Sequence, residues 1–434
     1  MPNLRELLAS VLPELTNYDL LHLKGPSREV NPIFLTRRHD DDALSLVKTQ
    51  HFFVLSSGNK VFYALELYVY VTVKNCAVTE KLIFVSKADT NGYCDHKLSV
   101  RDVTRVILGY ITSINPLCYV KDILKLSKPQ RDHSKVVTQH TTTRKALKIL
   151  INRSRASTKY IPSNDILYQH FNQVSPNWTC QICLFTRSEP EYLFSQSSQN
   201  PRKHVLSGSA LLSWWLSIID SVMISHFESD IRARLQIPGE EDNATRKYFQ
   251  SSKLTYWQVG DLFNGKSSDL AVFNIPVFPD DPKGRFLEQL VEGDRARKVQ
   301  LNEFWAELQI QQEFRLGETV SVIGTEGKLK SSVGRVMAAD EVISTSSRKL
   351  FNTVKSYITG EDYGTEEGAL EAFANLSDFL HLRLGTKLIR IQGIKPMTSQ
   401  PVNVPELKVG KRSEISRDTV RSLDRTLVRK RQKK

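Results

Sequence analysis

Three apolar runs separated by short polar breaks fill residues 51–86, and they constrain the fold more than any other part of the sequence. The runs read HFFVLSS, VFYALELYVYVTV and KLIFVS. In the middle run, the odd-numbered residues from Val61 to Val71 share one face, and the even-numbered residues from Phe62 to Tyr70 share the other. Because both faces are largely apolar, we predict a β-meander whose long strand lies at the centre of a sheet.

The other patterned segments alternate between helix and strand. Periodicity predicts helices in SVRDVTRVILGYITSI and in SGSALLSWWLSIIDSVMISHF, the latter with Leu211, Trp215, Ile218 and Val222 on one face. TCQICLF and SDLAVFNIPVF are typical of buried strands, whereas GRFLEQLVEGDRARKVQLNEFWAELQIQQEF and TEEGALEAFANLSDFLHLRL each predict one long helix. Strands interleaved with helices predict an α/β (α+β) fold with a site at the edge of the sheet.

A net charge of +13 favours anionic partners, such as nucleic acid, anionic membranes or phosphate-rich cofactors. The 434 residues allow one large domain with insertions, or two domains. The start MPNLRELLASVLPEL predicts a short amphipathic helix rather than a signal peptide, and no apolar stretch approaches the roughly 20 residues of a membrane span. Five dispersed cysteines fit a reducing compartment, and CQIC alone is a weak metal signal, so we expect buried thiols and no metal.

Two basic segments interrupt the patterned regions. Residues 127–159 are basic and poor in large apolar groups, which predicts an exposed, partly disordered insertion within a domain that spans residues 1–400. The tail, residues 401–434, ends in RKRQKK. This ending fits a nuclear localisation or acidic-partner sequence, and it equally fits a solvated end without a partner.

Charged side chains gather where predicted strands end. FVSKADTNGYC carries Asp89 into a turn, and VFPDDPKGRF holds Asp280 and Asp281 between two prolines. On these residues alone an ordinary turn is the favoured explanation of the second motif, because Pro and Asp are both common in turns. The chain contains no Walker lysine loop, H-E-x-x-H, G-x-S-x-G or post-strand G-x-G-x-x-G motif, so the enzyme classes with those signatures are excluded.

Several blocks together resemble the fungal histone acetyltransferase family named for regulation of Ty transposition. They are KTQHFF, LELYVYVTV, LIFVSKADTNGYC, CLFTR, WQVGDLF, IPVFPDDPKGRF and YITGEDYGTEEGALEAF. The resemblance extends from about Lys48 to Leu382 and leaves out the basic insertion and the tail. It implies a single acetyltransferase domain with a central mixed β-sheet wrapped by helices, similar in fold to CREB-binding-protein acetyltransferases. It also implies acetyl-coenzyme A as cofactor, an anion that suits the basic chain.

The resemblance further implies roles for individual residues. Those implied in catalysis are Asp89, Trp215, Asp280 and Asp281, and Lys283 matches a lysine that the family acetylates on itself. Those implied in cofactor binding are Ala88, Lys97, Leu98, Ser99, Val100, Arg101, Phe185, Arg187, Tyr192, Lys203, His204 and Trp214.

Acetyl transfer to lysine needs a deprotonated amine. A lysine pKa of about 10.4 makes that form cost about 4 kcal/mol at neutral pH. A buried carboxylate can orient the ammonium and accept its proton, so we expect Asp281 to be the main acid/base group and Asp89 a second one. On this hypothesis Asp281→Asn keeps the fold and lowers turnover by about 100-fold.

Two features of the proposed site are open at the level of sequence. Adjacent residues on a helix point about 100° apart, so we expect at most one of Trp214 and Trp215 to face a site, with two core aromatics as the alternative. The segment SEPE places Glu189 and Glu191 near the expected phosphates, where they would weaken cofactor binding unless they point outward.

The resemblance implies a nuclear lysine acetyltransferase that acts on newly synthesised histone three with histone four. Such an enzyme would serve replication-coupled chromatin assembly and genome stability. Since a basic enzyme repels a basic histone, acidic chaperones of the anti-silencing and nucleosome-assembly types are the expected partners. The alternative is a non-enzymatic basic chromatin or nucleic-acid-binding protein, although specific nucleic-acid binding is weakly supported because aromatics are not interleaved with the basic residues.

Overall fold

A computed structural model gives the fold of most of the chain. It describes residues 3–34, 44–74, 77–120, 123, 173–250, 252, 256–263, 265–310, 319–331, 333 and 342–396. The described residues group into one compact unit. The predicted insertion at 127–159 and the tail at 401–434 lie outside the described residues.

A mixed sheet of eleven strands forms the centre of the described part. Its strands are Asn17–Lys24 (β1), Arg28–Val30 (β2), Leu44–Ser57 (β3), Lys60–Lys74 (β4), Ala77–Thr90 (β5), Gln173–Thr186 (β6), Phe227–Gln236 (β7), Trp257–Val259 (β8), Ser321–Leu329 (β9), Ile343–Ser344 (β10) and Ile389–Gln392 (β11). The main order is β10-β1-β3-β4-β5-β6-β9-β7-β8, with β11 beside β1 and β2 beside β3. Some neighbouring strands are parallel, such as β5 and β6, and others are antiparallel, such as β6 and β9. This confirms the predicted central mixed sheet.

Strands β3, β4 and β5 are the predicted meander, and β4 is buried along nearly its whole length. The alternation of faces holds from Tyr63 onward but fails at the start of β4. A register shift opposite Leu55 and Ser56 leaves Phe62 as an extra residue. As a result Val61 and Phe62 exchange faces, because a β-bulge interrupts the two-residue period.

Helices cover both faces of the sheet. They are Leu4–Ala9 (α1), Val100–Ser113 (α2), Leu117–Val120 (α3), Gly208–His226 (α4), Asp242–Lys247 (α5), Ala271–Asn274 (α6), Pro282–Glu292 (α7), Leu301–Leu308 (α8), Arg348–Thr359 (α9) and Glu366–Leu384 (α10). The helices α1, α2 and α4 share one apolar core with the sheet, and α9 and α10 share another on the opposite face. This confirms the helices predicted at residues 100–113, 208–226 and 366–384.

Helix α4 is long and apolar enough to cross a membrane by length and composition, contrary to the expectation from sequence. Half of its apolar window is buried inside the fold. Trp215, Ile218 and Val222 are buried in the core shared with the sheet, and Leu211 packs against that core. Packing in the core therefore accounts for the apolar character of this helix.

Two predictions for residues 268–314 are wrong. The segment SDLAVFNIPVF forms the short helix α6 and a loop instead of a strand, since Pro276 lacks the backbone donor that a sheet ladder needs. The expected single helix is two helices, α7 and α8. It breaks after Glu292 because Gly293 caps α7 and Asp294 adopts a left-handed conformation with φ of 52°.

Hydrogen bonds hold both ends of α2 in place. At the start, the Ser99 side chain accepts a hydrogen bond from the Asp102 N–H at 3.2 Å. At the end, the buried Lys81 ammonium donates to three backbone carbonyls, those of Ile111, Thr112 and Ile114. Burial lowers the pKa of Lys81 to about 8, and the carbonyl oxygens replace its lost hydration.

Candidate active site

A cavity lies where β5 and β6 part. The two parallel strands pair as far as Val85 and Leu184, and β5 continues to Thr90 and β6 to Thr186 without pairing to each other. A register shift in the pairing of β5 with β4 makes Ser86 an extra residue. Since a bulge bends its strand, the bulge at Ser86 explains why β5 turns away from β6 there.

The cavity has a volume of about 440 Å³. Its walls include eleven of the residues implied by the resemblance, namely Ala88, Asp89, Val100, Phe185, Arg187, Tyr192, Lys203, His204, Trp214, Trp215 and Asp280. Five others are absent from the walls, namely Lys97, Leu98, Ser99, Arg101 and Asp281. Lys283 is absent from them as well. Of the absent residues, Ser99 caps α2, and Arg101 is exposed and lies 3.5 Å from the Ser217 hydroxyl.

Asp89 anchors the loop that closes one side of the cavity. Its Oδ2 accepts hydrogen bonds from three consecutive backbone N–H groups, those of Tyr192, Leu193 and Phe194, at 2.8, 2.9 and 3.3 Å. Its Oδ1 lies 2.9 Å from the Lys203 ammonium, and both side chains are buried. Oδ1 also accepts a hydrogen bond from the Thr90 N–H at 2.8 Å, so all the lone pairs of this carboxylate are engaged. Its geometry is therefore that of a structural anchor rather than of the predicted second acid/base group.

The two carboxylates of the SEPE segment lie in different places, and only Glu189 lines the cavity. Glu189 forms an ion pair with Arg187 on the cavity wall. Glu191 points away from the cavity, and its carboxylate accepts hydrogen bonds from the Gln196 N–H and from Ser198. The hydrogen bond from the Ser198 hydroxyl lowers the pKa of Glu191, as expected for a carboxylate bound in its charged form.

Both tryptophans line the cavity, so the expectation that at most one could do so is wrong. The ring planes of Trp214 and Trp215 meet at 80° with their centroids 4.8 Å apart. The size of the indole rings explains the result: two side chains that leave the helix in different directions can still reach one cavity and contact each other edge to face.

Asp280 lies on the cavity wall and forms an ion pair with Lys87, with 3.0 Å between Oδ2 and Nζ. The Asp280 side chain is 59% exposed and that of Lys87 27%. Asp280 has a φ of 56°, in the left-handed region that costs a non-glycine residue energy, so the backbone here is held by its surroundings. The pair at the mouth of the cavity is therefore accessible and carries strained backbone.

Asp281 lies in a different environment from Asp280 and away from the cavity wall. Its Oδ1 caps α7 by accepting a hydrogen bond from the Lys283 N–H at 3.0 Å, and its Oδ2 lies 3.1 Å from the Lys283 ammonium. Both side chains are almost completely buried. The expectation that both aspartates face the reacting groups is therefore corrected, because one is turned inward by its buried lysine.

A third acidic residue, Asp261, completes this buried cluster. Burial raises the pKa of Asp261, and the charge of Lys283 partly offsets that effect. Burial lowers the pKa of Lys283, but Asp281 and Asp261 together outweigh burial and raise it. The lysine is thus held in its charged form between two carboxylates.

Sequence reasoning missed several residues of the cavity, among them Tyr63, Ser86, Lys87, Pro282 and Arg285. The sequence contains a signal for Ser86 and Lys87, because the apolar run LIFV of LIFVSKADTNGYC ends directly before these two residues. The hydroxyl oxygen of Ser86 is buried and has no hydrogen-bond partner within the described residues. It is available for a polar group of a ligand.

The cysteine pair of CQIC is buried in β6, as predicted. Cys180 belongs to the core on one face of the sheet and Cys183 to an apolar cluster on the other, as a spacing of three in a strand requires. Within the described ranges, no group of three or more His, Cys, Asp or Glu side chains could hold a metal ion.

The parallel strands part around an apolar cavity that has an exposed carboxylate on its wall, so the candidate site lies at the open end of this strand pair. The chain belongs to the histone acetyltransferases with a KAT11-type domain, whose family model matches residues 4–379. It is therefore a histone lysine acetyltransferase, and the alternative of a non-enzymatic protein is set aside.

Curated relatives and a solved structure agree with this family. The chain is 36% identical over 291 residues to the histone acetyltransferase RTT109 of Candida albicans. The aligned region covers 64% of this chain and 74% of the relative. It is 31% identical over 154 residues to that of Schizosaccharomyces pombe, covering 32% of this chain and 39% of the relative. The crystal structure of Rtt109 from Aspergillus fumigatus shares the fold, with a TM-score of 0.63 and 19% identity over 91% of this chain and all of that chain.

Membership of this family implies acetyl-coenzyme A as the acetyl donor and a function in chromatin. The cavity suits such a group. Val100, Leu184, Leu206 and Leu211 supply apolar walls. Polar contacts are supplied by the Ser86 hydroxyl, which has no partner among the described residues, and by the edge of β5 beyond Val85, where β6 no longer pairs with it. An extended arm that carries amide groups can bind an open strand edge through backbone hydrogen bonds.

Proposed function

We propose that this enzyme acetylates a lysine of newly synthesised histone three, presented together with histone four, in the nucleus. The observation that carries the proposal is the accessible Asp280–Lys87 pair on the wall of the cavity between the parted strands. The net charge of +13 disfavours direct encounter with a basic histone. This charge favours acidic chaperones as adaptors. The family resemblance adds the anti-silencing and nucleosome-assembly types of chaperone and a role in replication-coupled chromatin assembly and genome stability.

Each carboxylate at the site already has a cation of the same chain. The four pairs are Asp89 with Lys203, Glu189 with Arg187, Asp280 with Lys87 and Asp281 with Lys283. The acceptor ammonium must therefore displace one of these cations in order to reach a carboxylate. Exposed ion pairs contribute little free energy, whereas buried pairs are costly to break. The exposed pair, Asp280 with Lys87, is the one that can be exchanged.

We infer that Asp280 receives the ammonium of the acceptor lysine as Lys87 swings away. The carboxylate orients the ammonium, and its exposure gives the departing proton a route to solvent. Acetyl-coenzyme A, when bound, would supply the thioester carbonyl for attack by the neutral amine, and coenzyme A would depart as the free thiol. Trp214 and Trp215 wall the cavity and exclude water from the reacting amine.

The cofactor roles follow from the same geometry. Phe185, Tyr192 and His204 line the space between the parted strands, and we propose that they bind the cofactor. Arg187 also lies on the wall of this space, where Glu189 balances its charge. We place Lys203 among the positioning residues, because its ammonium holds Asp89 and with it the loop at 192–194. Self-acetylation of Lys283 stays a prediction. The reaction would require the Lys283 ammonium to become accessible from the buried cluster in which it lies.

Removing the Asp280 charge should affect the acceptor more than the fold. Asp280→Asn is expected to raise KM for the histone acceptor and to lower kcat/KM about tenfold, the loss of one charged hydrogen bond. Lys87→Met is expected to lower KM for the acceptor, because it removes the competing cation. Steady-state kinetics with varied histone at saturating acetyl-coenzyme A measures both. Glu288→Gln is the matched control, an exposed acid on the next helix that does not line the cavity. Equal KM values for Asp280→Asn and Glu288→Gln would reject the exchange.

The histone and chaperone parts of the proposal have their own test. The protein is incubated with labelled acetyl-coenzyme A and a histone three and four pair, with and without each chaperone, and acetylated residues are located by mass spectrometry. We expect label on histone three, with stimulation by chaperone. Variants without residues 127–159 or 401–434 should lose stimulation far more than cofactor affinity. Loss of both to the same degree would contradict docking through these segments, and label confined to another protein would contradict histone three as substrate.

A further inference from the structure

A second, small pocket lies apart from the cavity, between β2, β3 and the start of α9. Its volume is about 20 Å³, and three basic side chains line it, those of Arg28, Lys48 and Arg348. None of its lining residues lines the large cavity. The function proposed above does not use this group of cations.

The three charges converge without a counter-ion from the part of the chain that the structure describes. Arg28 and Lys48 stand directly opposite each other in the β2–β3 register, an arrangement of like charges that destabilises a sheet. Among the described residues, none of the three forms an ion pair within 4 Å. The two carboxylates that act on Lys48 are engaged elsewhere, because Glu66 lies 2.6 Å from Lys355, and Asp280 is paired with Lys87. A bound anion would relieve this repulsion.

The pocket is held in a fixed shape. The Lys48 ammonium lies over the Tyr68 ring, 4.4 Å from its centroid, and 5.5 Å from that of Tyr70. The amide of Gln50, another lining residue, donates to Glu66 and to the Tyr68 hydroxyl. Burial lowers the pKa of Lys48 to about 8, and the charges of Arg28 and Arg348 act in the same direction. The ammonium is therefore in place before any ligand arrives.

The charge and size of the pocket select the ligand. Arg348 is the first residue of the twelve-residue helix α9, whose positive end adds to the three side-chain charges. A site with this much positive charge favours a dianion over a single carboxylate, and guanidinium groups match phosphate oxygens in geometry. A volume of about 20 Å³ admits one or two oxygen atoms, and the exposed Arg348 can contact the oxygens that remain outside.

We propose that Arg28, Lys48 and Arg348 form a binding site for one phosphate group. The phosphate comes from one of two sources, free inorganic phosphate or a phosphorylated side chain of a partner protein. In both cases the same two guanidinium groups and one ammonium bind the oxygens.

The full chain is titrated with inorganic phosphate at constant ionic strength, with chloride as the balancing anion, and binding is followed by calorimetry. We expect one saturable site. Arg348→Gln and Arg28→Gln should each weaken it about tenfold, as expected for one charged hydrogen bond. Lys349→Gln is the matched control, because it removes an adjacent exposed charge outside the pocket. It should bind phosphate like the wild type. Absence of saturation, or equal weakening by Lys349→Gln and Arg348→Gln, would overturn the site.

A peptide with one phosphoserine, and the same peptide with glutamate at that position, separate the sources. Tighter binding of the phosphopeptide than of inorganic phosphate, with loss in Arg348→Gln, assigns the site to a phosphorylated partner. Weaker binding of the phosphopeptide assigns it to free phosphate. Equal binding of the glutamate and phosphoserine peptides would overturn the choice of phosphate as ligand. Acetyl transfer by Arg348→Gln in phosphate-free buffer confirms that the variant is folded.

Discussion

Replacement of Asp89 by asparagine should destabilise the protein by about 3–5 kcal/mol, the range measured when one partner of a buried ion pair is removed. The variant leaves the Lys203 ammonium buried without its counter-ion, because that side chain is only 4% exposed. It also weakens three backbone hydrogen bonds that hold residues 192–194 beside the cavity. We therefore expect poor binding of acetyl-coenzyme A together with the loss of stability, and activity lowered through both.

Denaturant unfolding and cofactor titration measure the two effects separately. The double variant Asp89→Asn with Lys203→Met should recover part of the lost stability, because it removes the orphaned charge as well. Asp95→Asn serves as the control, since Asp95 also pairs with a lysine but its side chain is 49% exposed, and it should change stability by no more than about 1 kcal/mol. If Asp89→Asn keeps the wild-type unfolding midpoint and cofactor affinity while turnover falls, Asp89 is an acid/base group and not an anchor.

The sequence was informative wherever a periodic pattern continued over many residues. The run from Val61 to Val71 determined the central strand, and the repeat in residues 208–226 determined the helix that carries the tryptophans. The segment before Asp280 was misassigned because LAVFNIPVF is compatible with either period. Pro276 disfavours a strand, and packing against α7 and α8 stabilises the helix and the loop.

The pairing of charges at the site could not be predicted from sequence. Asp89 and Lys203 are 114 residues apart, and Asp280 and Lys87 come together from the loop before α7 and from β5. Adjacent aspartates look equivalent in the sequence. The fold separates them: Asp281 turns inward to cap α7, and Asp280 adopts the left-handed conformation and faces the cavity. Reactivity at this motif therefore depends on backbone conformation that the residue types alone do not specify.

The buried cluster behind the cavity gives the second large effect. Asp281→Asn keeps a side chain that can cap α7, but it leaves the Lys283 ammonium with Asp261 as its remaining carboxylate. We expect a loss of about 3–5 kcal/mol in the free energy of unfolding, as for other broken buried pairs. This reverses the expectation from sequence that the variant keeps its fold and loses only turnover.

The pH dependence and the neighbouring aspartate provide the controls. The pKa of Lys283 is raised in the folded state, so its stabilisation is fully present at neutral pH and is lost as pH rises above the usual lysine range. The difference in stability between wild type and Asp281→Asn should shrink in that alkaline range, and Asp281→Asn with Lys283→Met should recover stability at neutral pH. Asp280→Asn, one residue away but 59% exposed, should unfold like the wild type. If instead Asp281→Asn unfolds like the wild type and turns over about 100-fold more slowly, Asp281 accepts the proton and the buried pair opens during catalysis.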